Sequence, residues 1–339
     1  MTNSILARDN LFQLNCLVWA SFPQPSDAPV TPVLRNAGYT LWSIEQPLDA
    51  GVAELARLKG ATLQIQPNPA VDVVFYHSGN KIYTLTECKP SSFGVDSEWS
   101  PQARGLIVAG GNVPSRLGVS GKQLGEVCYL VPADDAESVD ATLIELCKQV
   151  TSQGFTACLT GALGLSIKAD GVYLGLPSQP KGTAQMPLKL VPEQRVMKVN
   201  ADQDPRPLYV VPWIPDVQDD TDLEAFKEKL RVQILSWLGR ASIGGQVTLS
   251  FDELLNEVSR GVFQYWRDKA SLTGRVLPMV GKVVEILFRD DSHASITKHE
   301  VGVTLNLEAD REELMERVRT AALPQKLPEG VQLRMEEQL

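Results

Sequence analysis

The stretch PAVDVVFYHSGNKIYTLTECKP, residues 69–90, holds two apolar β-type runs, VDVVFYH and KIYTLTEC, around Ser78-Gly79-Asn80. Short runs rich in Val, Tyr, Ile and Thr on either side of a glycine-containing break predict a β-hairpin. Two features are foreign to an ordinary hairpin. Asp72 stands among valines, and Glu87-Cys88-Lys89 ends the second run with opposite charges two residues apart. Side chains two apart share a strand face, so Glu87 and Lys89 are expected to project together while Cys88 points the other way. Pairing of the runs brings Asp72 to the same end of the hairpin as Glu87.

Working outward, LDAGVAELARLKG (48–60) carries Val52, Leu55 and Leu58 at helical spacing, with Gly60 as its stop. ATLQIQ (61–66) reads as a strand before the hairpin, so three strands are expected after this helix. Before it, LFQLNCLVWASF and YTLWSIE read as mixed strand and loop. Beyond the hairpin, SEWSPQARGLIVAGG predicts a helix with Pro101 near its first turn, and GEVCYLVP a strand. DDAESVDATLIELCKQVTSQG predicts a helix with early acids and a terminal glycine; FTACLTGALGLSIKADGVYLGLP predicts a hairpin turning at Ala169-Asp170-Gly171. This order is that of an α/β domain with a mixed sheet.

The expected organisation is an α/β domain over 1–176 with its core at about 48–132, a Pro-, Gln- and Lys-rich linker over 177–207, and a helix-rich α+β domain over 208–339. In the last, a helix is expected from about Asp222 to Gly239, and a second opens on Ser250-Phe251-Asp252-Glu253, a capping-box pattern. VLPMVGKVVEILF reads as a third helix, SITKHEVGVTLNL as a strand or a wing-like hairpin and DREELMERVRTAAL as a last helix. Helices followed by a wing describe either a winged-helix module or an assembly module.

The chain has 339 residues, 43% hydrophobic and 22% charged, with a formal net charge of -9. Such a balance excludes a disordered chain and argues against a free-standing basic nucleic-acid binder. No apolar run is long enough to cross a bilayer, and the N-terminus lacks a secretory pattern, so a cytoplasmic protein is expected. Five scattered cysteines read as reduced, buried thiols. With three histidines and no CxxC pair, a zinc site has little to draw on, so any metal must be held by oxygen. Gly121-Lys122 fails as a P-loop because Gln123 replaces the hydroxyl residue. A GxSxG elbow is lacking, and a Cys88–His77 nucleophile pair is the weakest of the hydrolytic readings.

Two carboxylates with waters are what a hard divalent cation requires, and a neighbouring lysine can orient water or balance transition-state charge. Glu87-Cys88-Lys89 is the one acid-x-lysine triplet in the sequence. Its alternative reading is a surface ion pair at a sheet edge.

Asp72 followed by Glu87-x-Lys89 at a strand end resembles the PD-(D/E)XK nuclease superfamily, the restriction-endonuclease-like fold, over roughly residues 48–132. The resemblance implies that Asp72, Glu87 and Lys89 are catalytic. It further implies that Asp72, Glu87 and the Cys88 backbone carbonyl bind magnesium or manganese, with Glu54 as an added acid from the first helix. Gln102 or Arg104, early in the following helix, then reaches the site or the scissile phosphate; apart from the resemblance, the charges of Arg116 and Lys122 suggest a loop that approaches a nucleic-acid backbone. The family's proline directly precedes its aspartate; here Val71 does, and Pro69 stands three residues ahead. The implied function is DNA phosphodiester hydrolysis inside a bacterial restriction or antiviral defence complex with other protein subunits. The alternative is a catalytically inactive nuclease-fold scaffold.

Overall fold

The computed structural model describes residues 3–23, 29–48, 52, 56–57, 60, 62–111, 117, 124–177, 181, 193–198, 205–211, 219–240, 245–269, 294–299, 302–307 and 311–320. The chain forms two compact units, Met1–Gln203 with Tyr265–Arg267, and Asp204–Gln264 with Asp268–Leu339.

The first unit is a mixed α/β fold. After α1 (Asn3–Leu6), α2 (Asn10–Ser21) and α3 (Val33–Asn36) come β1 (Tyr39–Pro47), β2 (Ala70–His77) and β3 (Ile82–Cys88), then α4 (Ser100–Gly110), β4 (Leu124–Pro132) and α5 (Ala133–Ser152). The hairpin β5 (Leu159–Lys168) and β6 (Gly171–Gly175) follows, then β7 (Gln194–Met197). The seven strands lie in sequence order. β3, β4 and β5 are parallel, and every other neighbouring pair is antiparallel.

The sheet curls. α2 touches β1, β2, β3 and β7, and α3 touches both β1 and β7, the two edge strands. Thr31 N–H donates to the Val196 carbonyl at 2.7 Å and Lys198 N–H to the Pro29 carbonyl at 2.8 Å, so the chain ahead of α3 runs along β7. α2 is buried from Phe12 to Ser21. A helix buried all round has no 3.6-residue apolar stripe, which is why LFQLNCLVWASF does not read as a helix. On the other face α4 and α5 share a core with Val71, Val74, Tyr83, Leu85, Val127 and Tyr129.

Three expectations are corrected. ATLQIQ is not a strand: residues 62–66 are irregular, and the strand beside β2 is β1, paired with it from Tyr39↔His77 to Pro47↔Ala70. LFQLNCLVWASF, expected as strand and loop, is the helix α2, one of three helices ahead of β1 among the described residues. Of the helix expected over 48–60, Val52, Ala56 and Arg57 are described and helical. The stretch read as a linker supplies β7, whose pairing partners lie twenty or more residues back at Val172–Leu174. The hairpin at 169–171 and the helices over 100–110 and 133–152 stand as expected.

The second unit contains α6 (Asp220–Arg240), β8 (Gly245–Ser250), α7 (Phe251–Val258), β9 (Ala294–His299), β10 (Gly302–Leu307) and α8 (Arg311–Thr320), with its three strands ordered β8-β10-β9. The β9–β10 hairpin occupies the expected wing. β8 is an addition to the elements expected from sequence. The helix expected at 276–288 lies outside the described residues.

α4 is seated against the segment that leads into Asp72. Gln66 N–H donates to the Pro101 carbonyl at 2.9 Å, and a Cβ on Gly105 would lie 2.6 Å from the Gln66 carbonyl oxygen. A methyl group there forces backbone apart. Gly105→Ala is expected to cost about 1–3 kcal/mol, read as a lower urea midpoint at unchanged slope.

Candidate functional site

The β2–β3 ladder runs from His77↔Ile82 to Val73↔Thr86 and stops there. At the next step side chains take the place of backbone partners. Cys88 N–H donates to Asp72 Oδ2 at 2.7 Å, and Asp72 N–H faces Glu87 Oε2 at 3.4 Å. An aspartate among valines thus ends a strand pairing and is oriented by its neighbour's backbone. That is its structural reason.

Glu87 and Lys89 share a face, as their spacing requires. Lys89 Nζ donates to Glu87 Oε1 at 3.0 Å and to Gln102 Oε1 at 2.9 Å. Gln102, in the first turn of α4, returns its amide N–H to Glu87 Oε1 at 2.8 Å. The three side chains close a ring of hydrogen bonds. The ammonium also lies 5.4 Å from the Trp99 ring centroid, a cation–π distance.

Behind the ring, Lys89 N–H donates to the Leu130 carbonyl at 2.9 Å. Gln13 of α2 donates its side-chain N–H to the Lys89 carbonyl at 2.9 Å, and Arg8 donates to the Pro90 carbonyl at 2.9 Å. The end of β3 is therefore fixed by β4 on one side and α2 on the other.

Glu87 is 5% exposed and Lys89 8%, whereas Asp72 is half-buried. Burial pushes the Glu87 carboxyl up to about 8, with the Asp72 charge adding to it and Lys89 and Gln102 pulling against it. Burial likewise raises the Asp72 carboxyl, opposed by the Cys88 N–H. The Tyr129 hydroxyl, opposite Glu87 in the β3–β4 register, is buried without a hydrogen-bond partner among the described residues. Burial raises it first, and the Glu87 and Asp72 charges after that.

This donor set fits magnesium or manganese. The Asp72 and Glu87 carboxylates repel each other, and magnesium commonly takes one or two protein carboxylates and fills its shell with water. Among the described residues no three His, Cys, Asp or Glu side chains converge on a metal-sized point.

Arg104 does not join the ring. Its guanidinium donates to Gln149 Oε1 at 2.9 and 3.1 Å, to the Gln64 carbonyl at 3.2 Å and to the Val95 carbonyl at 2.8 Å. It braces α4 against α5 and two loops. Arg104→Lys, which cannot reproduce the fork, is expected to lower stability by about 1–2 kcal/mol. Divalent-cation affinity, measured by titration, should stay unchanged. Glu54, Arg116 and Lys122 lie outside the described residues.

Sequence reasoning missed Glu45 and Trp99. Trp99 is marked by its place just ahead of α4, beside the lysine's amide partner. Glu45 ends the apolar run YTLWSI, but its neighbour depends on the register of β1.

The chain matches no known protein family, no curated protein and no solved structure.

Proposed function

We propose that this protein is a metal-dependent nuclease that hydrolyses DNA phosphodiester bonds at Asp72, Glu87 and Lys89. The observation that carries the reading is the ring itself: Lys89 is held by Glu87 and by Gln102 while Glu87 sits against Asp72. A purely structural ion pair has no use for a second carboxylate that pushes the first toward protonation. Active sites gather such mismatched groups.

Asp72 and Glu87 would hold the cation, which when bound supplies the positive charge that stabilises a phosphoryl group under attack. The Cys88 N–H keeps the Asp72 carboxylate aimed, and Gln102 keeps Lys89 from swinging onto solvent. Lys89 then presents an N–H to the attacking water or to a phosphate oxygen. Phosphoryl transfer relies on such positioning and charge more than on covalent help.

With the chain at -9, attraction for DNA has to come from a local groove or a partner, so action inside a larger restriction or defence assembly belongs to this reading. The second unit's helices and β9–β10 hairpin suit either DNA contact or assembly. No helix among the described residues is long and apolar enough to cross a membrane.

The test is cleavage of supercoiled, linear double-stranded and single-stranded DNA, and of RNA, with magnesium or manganese against chelator, alone and with co-purifying subunits. Metal-dependent cutting lost in Asp72→Ala and Lys89→Ala supports the site. Cutting that survives both changes overturns it, and absence of cutting with partners present favours the inactive scaffold.

A further inference from the structure

One strand beyond Asp72 lies a third acid. The β1–β2 register sets Ile44 opposite Val73 and Gln46 opposite Val71, so Glu45 falls opposite Asp72. Asp72 in turn stands one step past Val73↔Thr86, level with Glu87. Glu45, Asp72 and Glu87 thus form a row across three neighbouring strands.

Glu45 is built in rather than incidental. Its backbone has φ 47°, a left-handed conformation uncommon for a residue with a Cβ. Its Oε2 accepts the indole N–H of Trp266 at 3.1 Å, and Trp266 is 3% exposed. Trp266 belongs to the first unit through its own bonds: it bridges to Ile44, and Arg267 N–H donates to the Ile44 carbonyl at 3.2 Å. Tyr265 meets Phe22 edge-on at 5.8 Å.

A buried indole that fixes one carboxylate beside another works against stability, because like charges repel. The Glu45 charge does reach Asp72, adding to the larger effect of burial in raising that carboxyl. The arrangement becomes favourable when a cation joins the row.

We propose that Glu45, held by Trp266, is a positioning acid for the Asp72–Glu87 pair: it stays outside direct ligation and strengthens by charge the pair's hold on a divalent cation. This rests on the metal-dependent reading of the site. It agrees with the lack, among the described residues, of three acids converging on one metal-sized point. Carboxylates behind the ligands of a metal commonly govern affinity to this extent, with losses of about 10–100-fold when they are removed.

The experiment titrates manganese into the full chain and follows the free-ion electron paramagnetic resonance signal, which reads binding without any cleavage. Glu45→Gln is expected to weaken binding about tenfold, Glu45→Asp to restore most of it, and Trp266→Phe, which keeps the ring and loses the N–H, to fall between. Glu45→Gln with wild-type affinity overturns the role of Glu45 and leaves the metal-dependent reading intact. A wild-type chain that binds no manganese overturns both. Should Glu45→Gln fail to fold, Trp266→Phe decides, and unchanged affinity there overturns the proposal.

Discussion

Replacing Lys89 with alanine is expected to lower divalent-dependent DNA cleavage by about a thousandfold, the scale of removing one well-aimed donor to developing charge. The ammonium sits 3.0 Å from Glu87 Oε1 and 2.9 Å from Gln102 Oε1, so its head is held in place by two partners. Lys89→Met keeps the apolar stem against Trp99 and removes the charge with its two hydrogen bonds, which separates packing from chemistry. Asp72→Asn is the companion variant. Its amide oxygen still accepts the Cys88 N–H, leaving the strand end intact while the negative charge is lost. Both variants should retain the wild-type unfolding free energy, read from urea titration, to within about 1 kcal/mol and show turnover near background. Gln102→Ala, which frees Lys89 without removing it, should lose less, about tenfold to a hundredfold. Equal losses in all three variants, accompanied by a collapse of the urea midpoint, would mark the ring as a structural element.

The parts of this fold that are legible in the sequence are those decided locally. The 69–90 hairpin follows from β-type runs around a short break, and the spacing of Glu87 and Lys89 fixes their common face whatever surrounds them. α4 and α5 announce themselves by a proline in the first turn and by acids ahead of an apolar stripe. The misreadings share one cause: the deciding partner is distant in sequence. ATLQIQ alternates like a strand, yet Arg104 and Pro101 hold its end as a loop. YTLWSIEQP becomes the edge strand because β2 pairs with it, and that pairing alone reveals Glu45 beside Asp72. α2 carries Gln13 and Asn15 inside a helix buried all round, where neither polarity nor periodicity marks a face. Gln102 and Arg104 stand two residues apart on one helix turn, so they look in different directions and only one of them can meet the acids. Which one does so is set by how α4 is rotated against β3, and that rotation is a tertiary fact.

Without divalent cations the protein should become less stable as pH rises from about 4.5 to about 8, a trend opposite to that of an ordinary salt-bridged carboxylate. Glu87 titrates near 4.5 when unperturbed and is pushed up to about 8 in the fold, chiefly by burial and then by Asp72. Across that window the native state keeps a proton that the unfolded chain has released. Stability then falls with pH, because the folded form binds more protons. The stabilising contribution is fully present below the unfolded value and is gone once pH passes the folded one. A tenfold difference in proton affinity between the folded and unfolded chain is worth about 1.4 kcal/mol, so the wild-type protein should lose on the order of 5 kcal/mol over the window. Glu87→Gln cannot ionise and should remove this slope, so the difference between the two proteins isolates the one carboxyl from every other titrating group. Magnesium or manganese should restore what high pH takes away, since the ionised pair is the form that binds a cation. At a hundred times the dissociation constant the gain is about 2.7 kcal/mol. Urea midpoints measured from pH 5 to 9, with chelator and with manganese, provide the check. Parallel pH profiles for wild type and Glu87→Gln would show that the Glu87 carboxyl is not raised in the folded protein, and the expected pH dependence would be overturned.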